Sequence, residues 1–465
     1  MIAYLKPYAE YKESGLPWLG QIPNHWGLVP NRGLVRRRKV LVGKRHSDYQ
    51  LLSLTKQGVI VRDISTGRGK FSADMGTSQE VRNGDLVFCL FDVPETPRTV
   101  GLSRHDGMIT GAYTVLESLG KGNTEYFELF YRAMDDRKLL SPLYSGLRNT
   151  IPPERFLGTK TPQPLPAEQA AIVRFLDWAT GRLERAIRAK RKVIALLHEQ
   201  KQAIIHRAVT RGLDPAAPLK DSGIPWLGEI PAYWEVRRLK NVGATQIGLT
   251  YSPADLTDDT GCLVLRASNI KDGKLVSTDD VYVRGRIPAK ARVKSGDILI
   301  CARSGSRSLV GKSALIPESF DGVAFGAFMS VFRSSWNDFV FWVLNSNLFR
   351  FVMAEFETST INQLTQGDLN NLVIPVPPRQ EQVDIVTHVK EETASLEIAI
   401  SRLEREIELL REYRTRLVAD VVTGKLDVRA AAAALPVEVG SEEIVEQEVT
   451  EGEDESDEFD EEIEP

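Results

Sequence analysis

Two stretches of forty-four residues, 168–211 and 381–424, restrict most strongly what this chain can fold into. Each opens on Glu-Gln after a proline-rich lead, Pro164-Leu165-Pro166-Ala167 in one case and Val376-Pro377-Pro378-Arg379 in the other. Each closes on Thr-x-x-Leu-Asp, at 210–214 and 423–427. Over 168–213 and 381–426 the offset stays at 213 without insertion or deletion. Loops tolerate changes of length, so a register this strict implies that helix length is functional. Apolar residues fall at Ile172, Leu176, Leu183, Ile187, Ile194 and Leu197, and at Leu396, Ile400, Leu403, Ile407 and Leu410. Steps of three, four and seven predict coiled-coil helices, about 66 Å long at 1.5 Å per residue. The first stretch has ten basic and four acidic residues, net +6; the second has six basic and ten acidic, net −4. Opposite signs favour pairing with each other over self-pairing.

The chain also repeats itself. Residues 12–26 carry Ser14-Gly15-Leu16-Pro17-Trp18-Leu19-Gly20-Gln21-Ile22-Pro23, which returns as Ser222-Gly223-Ile224-Pro225-Trp226-Leu227-Gly228-Glu229-Ile230-Pro231, 208 residues on. A second tryptophan follows in each copy, Trp26 and Trp234. Proline and glycine fix the backbone and the tryptophans supply apolar area, so the motif reads as a structural clasp. After each clasp come roughly 120 residues of short alternating strands, a faint copy of one another. Val81-Arg82-Asn83-Gly84-Asp85-Leu86 answers Val293-Lys294-Ser295-Gly296-Asp297-Ile298, each leading toward a cysteine, Cys89 or Cys301. Gly111-Ala112-Tyr113 answers Gly326-Ala327-Phe328. A helical segment follows in each copy, 125–139 and 337–356. The expected architecture is α/β (α+β): two related modules separated by two long antiparallel coiled-coil helices, with an internal pseudo-twofold repeat. The expected boundaries are 1–165, clasp and first module; 166–212, central helix; 213–378, second clasp and module; 379–428, C-terminal helix; and 429–465, a disordered acidic tail.

The 465 residues suffice for several cored domains. The net charge of −4 conceals an asymmetry. Residues 436–465 hold fifteen acidic and no basic side chains, which leaves 59 basic and 48 acidic, net +11, in the rest. A basic body is compatible with nucleic acid. Cys89, Cys262 and Cys301 are far apart and suggest neither a disulfide framework nor a zinc site. With no apolar segment of signal-peptide or membrane-spanning character, a cytoplasmic location is expected.

No motif supports catalysis. The loop Gly305-Ser306-Arg307-Ser308-Leu309-Val310-Gly311-Lys312-Ser313 has five residues between its glycines where a P-loop needs four. The Pro-Pro pairs precede Glu154 and Arg379 rather than an aromatic, unlike the adenine-methyltransferase hallmark, and no zinc-protease motif occurs. His198 and His206 lie on the first long helix as surface residues. Binding remains. Arginine can fork onto a guanine edge and short polar residues contact phosphates, which marks Arg303, Ser304, Arg307 and Lys312 in one loop. Arg62, Arg68, Lys70, Arg98 and Arg104 are the first module's candidates, with Arg266, Asn269 and Lys271 the second module's others.

The repeated clasp at 14–23 and 222–231, the Glu-Gln-opened helices and the Leu-Arg-x-x-Asn-Ile-x-x-Gly stretch at 265–273 resemble the specificity subunit of Type I restriction–modification systems. The resemblance covers about residues 10–428; the first module lacks a clear copy of the Asn-Ile-x-x-Gly element, and the acidic tail falls outside the pattern. It implies a non-catalytic subunit in which each module reads half of a bipartite double-stranded DNA site while the helices fix the unread gap. It further implies two docked methyltransferase subunits and a motor–nuclease restriction subunit as partners. S-adenosylmethionine, ATP and Mg would bind those partners, with no cofactor or metal in this chain. A coiled-coil scaffold that does not read DNA is the alternative; a DNA reader loses duplex affinity steeply as salt rises and a scaffold does not. Inserting one heptad into either long helix alone is expected to abolish or shift recognition, as read from the target sequence. An unchanged target would refute helix length as a ruler.

Overall fold

The computed structural model describes residues 5–62, 75–306, 309–347, 349 and 363–436. The chain divides into two compact units, 1–186 with 409–465, and 187–408. The unit limits fall inside the long helices, Pro166–Arg211 and Arg379–Val422. The reason is burial: a long helix with one apolar stripe is held by whatever that stripe packs on, and each end packs on a module.

The first unit is built on a four-stranded antiparallel sheet in the order Val35–Arg37, Thr114–Ser118, Leu86–Phe88, Val100–Leu102. The helix Thr124–Asp136 is capped by Asn123, whose side chain accepts the Tyr126 N–H at 3.0 Å. It places Tyr126, Phe127, Phe130 and Tyr131 in the core beside Phe88 and Phe156. Ring centroids there lie 4.6–4.9 Å apart for Phe88–Phe156, Phe127–Tyr131 and Tyr131–Phe156. The polar groups inside are satisfied: Asn31 donates to the Tyr131 hydroxyl at 2.6 Å and accepts from Thr161 at 2.6 Å. Ile172 and Leu176 of the central helix and Leu417 and Val421 of the C-terminal helix join this core.

The second unit repeats the plan, with sheet order Ala244–Ile247, Met329–Arg333, Ile298–Cys301, Ser313–Leu315, again antiparallel. Its core takes Trp234, Phe332, Phe339 and Val340 together with Ile205 and Val209 of the central helix and Ile385 and Val389 of the C-terminal helix. The helix after the sheet is Asn337–Leu344; residues 348 and 350–356 of the longer segment expected from sequence lie outside the described residues. The units differ in their outer strands. The first has the separate pairs Leu52–Thr55 with Gly58–Val61 and Gln79–Val81 with Gly107–Ile109. The second has a four-stranded sheet with one parallel pairing, Cys262–Leu265 on Ala324–Phe325.

Within the second unit the two long helices run antiparallel: Lys190 pairs with Glu406, and Lys201 with Glu397 at 2.9 Å. In the first unit Arg414 pairs with Glu184. The basic helix therefore meets the acidic one as their charges suggested. Ile172, Leu176, Leu183, Ile187, Ile400 and Ile407 are buried. Ile194, Leu197, Leu396, Leu403 and Leu410 are only half-buried.

The clasps hold the helix ends. Each starts as a hairpin, Tyr11–Glu13 on Gln21–Pro23 and Leu219–Asp221 on Glu229–Pro231. Each then buries a tryptophan completely. The Trp26 indole donates to Glu168 at 3.1 Å, and the Trp234 indole to Glu381 at 3.0 Å. These are the glutamates that open the two long helices. The C-terminal helix stops at Gly424, where the Lys425 and Leu426 N–H groups turn back onto the Asp420 carbonyl at 2.8 and 3.2 Å. The chain from 429, expected to be disordered, begins with a helix, Arg429–Ala433. Its Ala432 and Leu435 are buried, and Arg174 holds the Leu435 and Pro436 carbonyls at 3.1 and 3.0 Å. The alanine run supplied the helix propensity and the apolar contact that the acidic part lacks; residues 437–465 lie outside the described residues.

Gly424 has φ +76°, and a Cβ there would stand 2.3 Å from Pro23 Cδ and 3.0 Å from the Trp26 ring. Gly424→Ala is expected to destabilise the protein by about 2 kcal/mol or more, from left-handed strain plus displacement of the clasp. A lowered urea midpoint tests this; an unchanged one would refute the close seating of helix end on clasp.

Candidate nucleic-acid interface

The frame beneath each prospective surface is a buried turn. Asp85 accepts the Arg82 N–H at 2.8 Å, and Asp297 accepts the Lys294 N–H at 2.8 Å. Each buried carboxylate is neutralised by a forked arginine from a different place in the two units, just past the strand Val35–Arg37 in the first and at the end of Met329–Arg333 in the second. Arg38 lies 2.7 and 3.1 Å from Asp85; the Arg333 Nε donates to Asp297 at 2.8 Å. Hydrogen bonding to these carboxylates raises both guanidinium pKa values. The strands that follow run into Cys89 and Cys301, whose thiols burial pushes up, that of Cys301 to about 11. Neither is a nucleophile near neutrality. Among the described residues no group of His, Cys, Asp and Glu is placed to hold a metal, and no helix is long and apolar enough to cross a membrane.

The loop beyond Cys301 is a cationic surface. Arg303 is exposed and lies over the ring of Phe328, its guanidinium carbon 5.2 Å from the centroid. Phe328 is itself 60% exposed. Ser304 is half-buried and its hydroxyl accepts the Ser306 N–H at 3.2 Å. Lys312 is exposed across the turn, its carbonyl accepting from the Cys301 N–H at 2.8 Å. Arg307 lies outside the described residues. The structure thus brings Arg303, Ser304 and Lys312 into one turn and adds Phe328.

The Leu-Arg-x-x-Asn-Ile-x-x-Gly stretch does something else. Asn269 is fully buried. Its amide donates to the Val276 and Thr278 carbonyls and to Asp280 at 3.2, 3.1 and 3.0 Å, and its carbonyl accepts the Arg266 N–H at 2.9 Å. This corrects the expectation for Asn269: every hydrogen-bonding group it has is spent inside the turn. Arg266 pairs with Asp279 and donates to the Asp279 carbonyl at 2.7 Å, so it too closes the turn. Asp272 and Gly273, with φ +50° and +78°, form the two-residue turn of the hairpin Ile270–Lys271 on Lys274–Leu275. Lys271 is exposed beside it.

In the first unit Arg98 is corrected likewise. Its side chain is 14% exposed and pairs with Asp136 at 2.7 Å and with Asp135 at 3.8 Å. Asp135 is buried and also accepts Thr99 N–H and Oγ1 at 2.8 and 2.6 Å, so Arg98 offsets a buried charge. Arg104 is exposed and forms a surface pair with Glu125 at 2.5 Å, weak enough to exchange for another anion. Arg62 is half-exposed, its N–H donating to the Leu51 carbonyl at 2.8 Å. Arg68 and Lys70 lie outside the described residues. The sequence reading missed Lys39, Lys44, Arg45 and His46, all exposed on the segment after the first strand. Arg45 lies over Tyr49, 5.8 Å from its centroid, and donates to its hydroxyl at 3.2 Å. The signal was present as the run Arg36-Arg37-Arg38-Lys39 with Lys44-Arg45-His46.

Residues 231–409 match the family model described as the Type I restriction modification DNA specificity domain. The chain is 30% identical over 208 residues to the EcoKI specificity subunit of Escherichia coli (strain K12), 43% of this chain and 44% of that protein. It is 28% identical over 212 residues to the StySPI specificity subunit of Salmonella potsdam, again 43% and 44%. The matches thus span less than half the length of these curated relatives. A solved chain from work on complex assembly and conformational transition of the type I R-M system superposes with a TM-score of 0.59 at 14% identity, over 87% of this chain and 99% of that one. That likeness concerns the fold.

Asn269→Ala is expected to destabilise the protein by about 1–3 kcal/mol, because it leaves buried partners without hydrogen bonds. Arg303→Ala, at an exposed site, is expected to stay within about 0.5 kcal/mol. Urea unfolding of both variants checks the division; equal effects would refute it.

Proposed function

We propose that the chain is a member of the Type I restriction–modification specificity subunits, supported by the domain match over 231–409 and the 30% identity to the EcoKI specificity subunit, and that it is the sequence-specific DNA-binding subunit of such a complex. Each unit reads one half of a split DNA site, and the long helices set the gap between the halves. The observation that carries this is the duplicated frame. The same sheet order and the same tryptophan–glutamate clasp occur twice, on helices of 46 and 44 residues, while the exposed side chains above the frames differ. One frame with two surface chemistries is what reading two different half-sites requires. Joining two weak half-site contacts on one body gives a tight and selective whole.

Two methyltransferase subunits and a motor–nuclease subunit are the proposed partners, and S-adenosylmethionine, ATP and Mg the cofactors that those subunits carry. The chain itself supplies recognition and no catalytic group. Val193, Leu196 and Ile398 stay exposed in the middle stretches of the long helices, which supports a docking role for that region.

Long-read sequencing of source-organism DNA, with and without this gene, reads adenine methylation directly. One split motif is expected to lose methylation in the deletion, and that motif gives both half-sites and the gap. No change in any motif, with the methyltransferase subunits shown to be expressed, would refute the DNA-reading role and favour a scaffold.

A further inference from the structure

The two units hold one pair of equivalent positions in contact but fill it with different chemistry. Two residues beyond the buried cysteine stands Phe91 in the first unit and Arg303 in the second. The flanking backbone is the same in both: the Leu90 carbonyl accepts from Ile151 N–H at 2.7 Å, and the Ala302 carbonyl from Leu364 N–H at 2.7 Å. Opposite lies the Gly-Ala-aromatic turn, ending at Tyr113 or Phe328. In the first unit the Phe91 and Tyr113 rings stack at 6.0 Å and 22°. In the second the Arg303 guanidinium takes the place of the ring, over Phe328.

The second pair stands on a tightly tied backbone. Ala302 and Arg303 N–H groups both donate to the Phe328 carbonyl, at 2.9 and 3.0 Å. The aromatic turn is tied down by Gly326 N–H to the Leu265 carbonyl at 3.0 Å and Leu249 N–H to the Phe325 carbonyl at 2.7 Å. A Cβ on Gly248 would meet the Gly326 carbonyl oxygen at 2.1 Å, so the turn is seated against backbone. Arg98, Arg104 and Arg266 all have carboxylate partners, whereas among the described residues no carboxylate pairs with Arg303. Its fork is therefore exposed and has the Phe328 ring, itself on a tied-down turn, as its neighbour, so a two-bond contact starts from a partly restricted side chain. Lys312 across the turn supplies a positive charge for a neighbouring phosphate.

We propose that Arg303, placed over Phe328, is the residue with which the second unit reads a guanine edge in the major groove, and that the Phe91–Tyr113 stack gives the first unit no such contact at the equivalent place. A planar fork matches the O6 and N7 acceptors of guanine, which no other base pair edge offers in that spacing. This rests on the DNA-reading function proposed above.

The test is the methylated motif in source-organism strains carrying wild-type, Arg303→Ala, Arg303→Lys and Phe328→Ala alleles. With wild type, one half of the split motif contains a guanine–cytosine pair that Arg303 reads. Arg303→Ala is expected to lower discrimination at that pair by about tenfold or more while the other half and the gap stay the same. Arg303→Lys keeps the charge but cannot fork, and is expected to relax the same pair. Phe328→Ala releases the guanidinium and relaxes it less. If the Lys variant keeps the motif while the Ala variant lowers methylation evenly at every site, Arg303 is a phosphate contact and the inference is overturned. An unchanged motif in all three variants overturns it too, with the DNA-reading function left standing. Loss of all methylation from soluble, assembled variants would place Arg303 in assembly and likewise overturn it. A wild-type strain with no split motif that depends on this gene would remove the proposed function, and the inference with it.

Discussion

A hydrogen bond from a buried indole to the glutamate that opens a long helix, made once in each unit, is the contact on which the rest of the structure depends. Glu168 accepts from Trp26 at 3.1 Å and from the Tyr8 hydroxyl at 2.7 Å, with His25 Nε2 at 2.9 Å from its other oxygen. Glu381 accepts from Trp234 and the Tyr233 hydroxyl, both at 3.0 Å. A carboxylate at a helix N-terminus is favoured by the unpaired N–H groups there, and charge-assisted bonds are stronger than neutral ones. In the first unit, where Glu168 and Trp26 are both buried, either partner left alone would lie unsatisfied away from water. The neighbouring glutamine seals the lead: the Gln169 and Gln382 amides donate to the Pro164 and Pro377 carbonyls at 2.8 and 3.0 Å. So the Glu-Gln pair fixes where each helix begins and how it leaves its module.

The same clasps also receive helix ends. Gly424 lies against Pro23 and Trp26 in the first unit; Gly212, also left-handed, lies against Glu381 and Trp234 in the second. Each clasp thus seats the start of one long helix and the end of the other, so both helix ends in a unit are fixed by the same tryptophan. The ion pairs along the helices are mostly half-exposed and individually contribute little, so their role is to favour the basic–acidic pairing over others.

Frame and surface are separable. The buried aspartate turn persists in both units although its arginine comes from a different place in the fold, so a compensated charge is kept while the neighbour that supplies it changes. Above that turn the units diverge: separate strand pairs and an exposed basic segment at 39–46 in one, a four-stranded sheet and the Arg303–Phe328 pair in the other. Surface side chains can change without loss of core burial, and this is how one frame comes to carry two chemistries.

The sequence by itself determined the architecture. Long-range periodicity, proline and glycine punctuation and a fifteen-residue repeat are local signals of helix length, clasp and duplication, and each survived because nothing tertiary competes with them. It also showed the basic–acidic matching of the helices, since charge is additive along a face. It could not sort the arginines. Arg98 and Arg303 look alike in the chain, yet Arg98 compensates buried Asp135, thirty-seven residues away, while Arg303 lies open on Phe328. Asn269 looked like a polar loop residue, and only the return of the chain at Val276, Thr278 and Asp280 encloses it. The helix at 429–433 needed its alanines to meet an apolar surface assembled from elsewhere. Whether a polar side chain is buried and paired, or exposed and free to bind, depends on partners distant in sequence, and that is decided only when the chain closes on itself.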